Sequence, residues 1–230
     1  MGAQGILMIN ENVLKLLDFM KHIFLLLTLF LATAQANINT TFRSNLLINP
    51  DTNQPYTGNI EVLNNDWDKV EFSKDYVDGH LHGNEKVFYQ SGKLKSLGHF
   101  NKGVLTGTVE LYYEDGSIQA RVNFNNGIKQ GRAISYYPDG SKQLEQLFVD
   151  GKLDGLHRTW YENGNVMKSI PYSKGMVHGT LEIYYESGGV FEEVEYNFGT
   201  PKYMRSYLED GTVSDEKGFF DRKLIERIVG

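Results

Sequence analysis

The sequence predicts an all-β protein, an elongated antiparallel meander of stacked β-hairpins. Two observations predict it. Glycine recurs every 24 residues in three columns: Gly79, Gly103, Gly127, Gly151, Gly175 and Gly199; Gly83, Gly107, Gly131, Gly155 and Gly179; and Gly92, Gly116, Gly140, Gly164 and Gly188, with Gly211 one residue early. An aromatic pair keeps the same beat, Phe88, Tyr112, Tyr136, Trp160 and Tyr184 each being followed by a tyrosine. Repetition at a fixed period is the mark of an array whose units bury surface against their neighbours.

From the N-terminus, residues 1–19 read as an upstream extension and Met20 as the functional start. Lys21, an apolar run from Ile23 to Leu31, and Ala34-Gln35-Ala36 together predict a secretory signal peptide cleaved after Ala36. The run is about half the roughly 20 residues a membrane span needs, so the mature chain is expected to be exported and not membrane-spanning. There is no cysteine, so the repeats must hold together without disulfides. The net charge is −6, and Lys15 and Lys21 offset Glu11 and Asp18 in the leader, so the mature balance is the same. That excludes nucleic acid and disfavours anionic lipid as partners, since both need a basic face.

Residues 37–78 read as a divergent N-terminal half repeat, opened by Tyr56-Thr57-Gly58 and continued through Val70, Phe72 and Tyr76. Five full repeats occupy 79–198. Residues 199–230 read as a truncated repeat and a cap, in which Phe219 or Phe220 completes an aromatic column. Leu224, Ile225, Ile228 and Val229 would cover the open edge.

Within one repeat, "TVELYYEDGSIQARVNF" is two strand-like runs around Asp115-Gly116, a hairpin signal, and Asn126-Gly127 is a second. Gly92, Gly116, Gly140, Gly164 and Gly188 are therefore structural turn residues. If Asp115-Gly116 is a two-residue turn, Glu114 faces Ser117, Tyr113 faces Ile118, Leu111 faces Ala120, Val109 faces Val122 and Gly107 faces Phe124. Every repeat then sets a strand glycine against an aromatic ring. Val109, Leu111, Tyr113, Ile118, Ala120, Val122 and Phe124 share one face, and Glu110 meets Arg121 on the other. Pro138 in "YPDG" favours the alternative, a type I turn followed by a glycine bulge, which shifts the register by one. The two-residue turn is preferred because it gathers one apolar set.

"NGIKQGRAISYYPDG", "DGKLDGLHRTWYENG" and "KGMVHGTLEIYYESG" resemble MORN-type repeats in the bacterial 24-residue variant, over about residues 79–198. The resemblance implies a single-layer sheet of stacked hairpins, and roles as a scaffold, as an appendage to an enzyme, or as an antitoxin-like protein. Lys142, in a column of Leu, Ile and Val, and Pro171, within a strand, depart from the pattern.

No catalytic residues, cofactor or metal site are expected. His80 and His82 in "DGHLHG" lack a third ligand, and position 82 aligns with Thr106, Gln130, Asp154 and His178. No Gly-x-Ser-x-Gly or phosphate loop is present, and "FEEVEY" at 191–196 reads as a solvated face. What remains is surface. Phe88, Tyr112, Tyr136, Trp160 and Tyr184 would form an exposed ladder on the polar face, read either as cross-strand packing or as a strip that binds another protein. About twelve strands roughly 4.8 Å apart give such a face roughly 1,500 Å², enough for an interface. The expected function is an exported, non-enzymatic binding or structural module of the cell envelope; the alternative is an antitoxin-like immunity protein that neutralises a toxin.

Overall fold

The computed structural model describes residues 41–43, 46–64 and 69–218. The expected signal peptide and the tail 219–230, with its expected capping role, lie outside the described residues. β1 (Thr41–Arg43) and β2 (Leu46–Ile48) pair with each other. The other sixteen strands form one antiparallel sheet in which sequence neighbours are spatial neighbours. They are β3 (Gly58–Asn64), β4 (Lys69–Val77), β5 (His80–Phe88), β6 (Leu94–Asn101), β7 (Val104–Tyr112), β8 (Ile118–Asn125), β9 (Ile128–Tyr136), β10 (Lys142–Val149), β11 (Lys152–Leu153), β12 (Gly155–Trp160), β13 (Val166–Ser173), β14 (Met176–Val177), β15 (Gly179–Tyr184), β16 (Val190–Asn197), β17 (Thr200–Tyr207) and β18 (Val213–Gly218). This is the all-β meander the glycine columns predict.

Two kinds of turn alternate along it. At one margin the loop is two residues long, as in Asn125↔Ile128, and both central residues have positive φ, Asn126 at 48° and Gly127 at 77°. This is the type I′ hairpin turn, whose twist matches that of the strands. The other margin corrects the sequence reading. Gly116 N–H donates to Tyr113 O at 2.9 Å and Tyr113 N–H to Ser117 O at 2.9 Å, so the loop holds three residues and Tyr113, not Glu114, faces Ser117. Gly116 then takes φ 95° as the bulge residue of a type I turn. Pro138 opens the equivalent three-residue loop, at the second position of its type I turn, where its fixed φ belongs.

The shift this loop introduces is cancelled at once. Tyr112 pairs with Ile118 and Leu111 with Ala120, leaving Gln119 as an unpaired bulge. Beyond it the expected partners Val109↔Val122, Glu110↔Arg121 and Gly107↔Phe124 hold. Ile118 therefore lies opposite Tyr112 and shares its face, rather than joining Leu111 and Ala120. The same bulge falls at Lys95, Gln143, Met167 and Phe191.

The strand glycines have a second reason to be glycine. From β6 to β7 the pairing passes from Leu97↔Glu110 to His99↔Thr106, so β7 is bulged, and Gly107 turns the chain there at φ 74°. A Cβ on Gly107 would meet nothing within 4 Å, so conformation rather than space selects glycine. Pro171 is tolerated for a related reason: its strand pairs with β15 only through Lys168↔Ile183 and Ser169↔Glu182, and it lies where that ladder is interrupted.

Both margins tie each repeat to the next. At the type I′ turns, Gly103 N–H donates to Leu81 O at 2.7 Å, Gly127 to Leu105 O at 2.7 Å and Gly151 to Lys129 O at 2.9 Å. At the first such turn Gly79 donates to Tyr56 O, and Leu47 N–H to Gly79 O, so the N-terminal segment stands in for a preceding repeat. Leu47 is 2% exposed there. One sheet face is the more buried, with Phe100, Val109, Leu111, Ala120, Phe124, Ala133 and Phe148 each under 10% exposed. Small residues alternate with rings on that face, so the rings can settle over their neighbours without a second layer of strands.

Candidate functional site

The opposite face carries the aromatic ladder. Each ladder residue lies beside a bulge, and four of the five pair directly with an aliphatic residue of the next strand: Phe88↔Leu94, Tyr112↔Ile118, Trp160↔Val166 and Tyr184↔Val190. Tyr136 pairs with Lys142, whose ammonium stands 5.5 Å over the Trp160 ring, so the charged departure from the aliphatic column is held by a cation–π contact. All five ladder residues are half-buried rather than fully exposed. Two residues missed in the sequence extend the stripe: Leu63, opposite Val70, and Tyr207, opposite Val213. The shortened spacing before Gly211 was the signal for Tyr207. At the Leu63 end lies a shallow hollow of about 350 Å³ lined by Glu61, Leu63, Lys69, Val70, Phe88 and Gly92.

Polar groups flank the ladder. Tyr112 O–H donates to Glu110 Oε2 at 2.6 Å, and Arg121 Nε to Glu110 Oε1 at 2.9 Å. The two donors hold the Glu110 carboxyl below its ordinary range, the tyrosine hydroxyl contributing most. Burial, then the hydrogen bond to that carboxylate, pushes Tyr112 up to about 12. Tyr184 and Glu182 repeat the arrangement at 2.7 Å, with Tyr184 again at about 12. Further ion pairs join Arg132 to Glu145 at 3.3 Å and Arg205 to Glu193 at 3.5 Å.

The second tyrosine of each pair has a role the sequence reading did not find. Tyr89 O–H donates to Tyr112 O at 2.6 Å, Tyr113 to Tyr136 O at 2.7 Å, Tyr137 to Trp160 O at 2.6 Å, Tyr161 to Tyr184 O at 2.8 Å and Tyr185 to Tyr207 O at 2.8 Å. Each strut spans an intervening strand and ends on the backbone of the next ladder residue. The available signal was chemical constancy: this position is Tyr five times, while the ladder position is Phe, Tyr or Trp. Bulge side chains attend the struts, with Lys95 Nζ 5.5 Å over the Tyr89 ring and Phe191 edge-on to Tyr185 at 5.2 Å.

Two of the histidines serve the fold. His82 Nδ1 accepts from Lys102 N–H at 3.4 Å, and Gln130 Oε1 from Asp150 N–H at 2.8 Å, so this position caps the next type I′ turn. On the buried face His157, 8% exposed, accepts from Gln146 Nε2 at 2.9 Å. Burial, and then the nearby Lys168 charge, lowers it to about 4. Lys168 and Glu192, further along that face, are both shifted toward their neutral forms by burial.

The family model described as a MORN repeat variant matches residues 81–102, 105–126, 153–174 and 177–197. This chain is a MORN-type repeat protein. The MORN repeat that the matches skip, 129–150, has the same construction, with Gly131↔Phe148, the loop at Gly140, the bulge at Gln143 and the Tyr137 strut. MORN repeats are in general binding or structural modules rather than catalytic ones. Comparison with curated proteins gives no match.

Proposed function

We propose that this MORN protein is an exported, non-catalytic module of the cell envelope that takes up a second macromolecule along its ladder face. The observation that carries the reading is the stripe itself. Aromatic and aliphatic side chains run from Leu63 to Val213, half open to solvent, while the reverse face is closed over Phe100, Phe124 and Phe148. Tyr and Trp amid charged neighbours are common anchors of interfaces. Export is supported by the Lys21, Ile23–Leu31 and Ala34-Gln35-Ala36 pattern.

The test is affinity capture from envelope extract with the purified protein, beside a variant carrying Tyr136→Ala, Trp160→Ala and Tyr184→Ala, with bound protein and carbohydrate both measured. Material retained by the parent and lost by the variant is the expected result. Equal retention, or none, overturns the reading. Mass measurement of the protein recovered from its host checks export, since cleavage predicts a chain that begins at Asn37.

A further inference from the structure

We propose that the partner on the ladder face is an extended, uncharged β-1,4-linked polysaccharide, laid along the sheet with one disaccharide per repeat; this rests on the binding-module reading above. The first support is spacing. Ladder residues recur on every second strand, which places them about 9.6 Å apart. The struts make that step uniform, because five hydroxyl–carbonyl bonds of 2.6 to 2.8 Å link successive repeats from Tyr89 to Tyr207. A β-1,4 chain turns over at each linkage and presents the same ring face every second sugar, a step comparable to two strands of a sheet. The half-open aromatic rings then recur in step with the apolar C–H faces of alternate sugars.

The second support is charge. Three of the carboxylates beside the ladder are paired with a cation within the face, Glu110 with Arg121, Glu145 with Arg132 and Glu193 with Arg205, while Glu182 accepts from the Tyr184 hydroxyl. Such a rim complements neither a polyanion nor a polycation, but its paired donors and acceptors suit sugar hydroxyls. The third is relief. Protein anchors fill well-packed pockets, whereas the middle of this stripe is a repeating row of half-open rings, and the shallow hollow beside Phe88 lies at one end.

Calorimetry with the full chain tests this, using cellobiose, cellotetraose and cellohexaose, the matching N-acetylglucosamine oligomers, and the α-1,4 hexamer maltohexaose. The expected result is affinity that rises with each disaccharide in at least one β-1,4 series, with its hexamer bound at least about tenfold more tightly than maltohexaose. Trp160→Ala should weaken the hexamer by roughly tenfold. Tyr137→Phe, which keeps every ladder ring but releases one link between repeats, should weaken the hexamer and leave the disaccharide unchanged. Circular dichroism at the assay temperature establishes that each variant is folded. Failure of both β-1,4 hexamers to bind, equal affinity for maltohexaose, or an unaltered Trp160→Ala variant overturns the proposal. If the sugars fail while capture still returns a ladder-dependent protein, the glycan is wrong and the binding module stands; if capture fails too, both fall.

Discussion

Gly140 shows how a single backbone angle decides a residue. It sits at φ 85°, and a Cβ there would meet nothing within 4 Å, so any substitution cost is conformational. Gly140→Val should lose at least about 1–2 kcal/mol, or roughly 2–8 °C of melting temperature. An unchanged thermal midpoint would contradict the turn geometry. Lys174 offers the converse, a non-glycine residue at φ 51° in a type I′ turn. Lys174→Asn should raise stability by about 0.5–1 kcal/mol in urea titration, since Asn tolerates that conformation better. His157 carries the pH dependence. Its folded pKa of about 4 lies below the ordinary 6.5, so between those values the unfolded chain binds a proton that the folded chain refuses. Its titration therefore costs no stability above pH 6.5, and up to about 3 kcal/mol is lost as the pH falls toward 4. His157→Gln should flatten urea stability between pH 6.5 and 4.5, and a slope equal to the parent's would acquit the imidazole.

At the scale of the hairpin, the chain was legible where chemistry is local. Asn126-Gly127 and the pairing of Gly107 with Phe124 follow from turn residues and counting. The loop at Asp115-Gly116 was not legible, because Asp-Gly suits loops of two or three residues. The bulge at Gln119 also restores the register before Ala120, so the buried set looks the same either way. Only Pro138 pointed to the longer loop. The struts were hidden for another reason: their acceptors are backbone carbonyls, which no sequence pattern marks. Tyr137→Phe leaves the Trp160 carbonyl without its donor and should cost about 1–3 kcal/mol in urea titration. Trp160→Ala, at a half-buried ring, should cost about 1–2 kcal/mol, short of the roughly 3–5 of a core Trp truncation. A larger loss would place the ring in the core and remove it from the binding face.

Across the whole molecule, each repeat is joined only to its neighbours, by strand ladders such as β6 to β7 and, at the margins, by a type I′ glycine N–H and a tyrosine hydroxyl. Hydrogen exchange should therefore be slowest in the middle, around β8 to β10, and faster toward β3 and β18, as expected of a one-dimensional array. Uniform protection from end to end would indicate a cooperativity that these links do not explain. The strut has one more implication. Its donor is a side chain, but its acceptor is the main chain of the ladder residue, so the strut itself makes no demand on the ladder side chain. Phe, Tyr and Trp already alternate there above unchanged struts. Duplication and drift can thus rewrite what the surface recognises, or lengthen it by 24 residues at a time, without renegotiating how neighbours adhere.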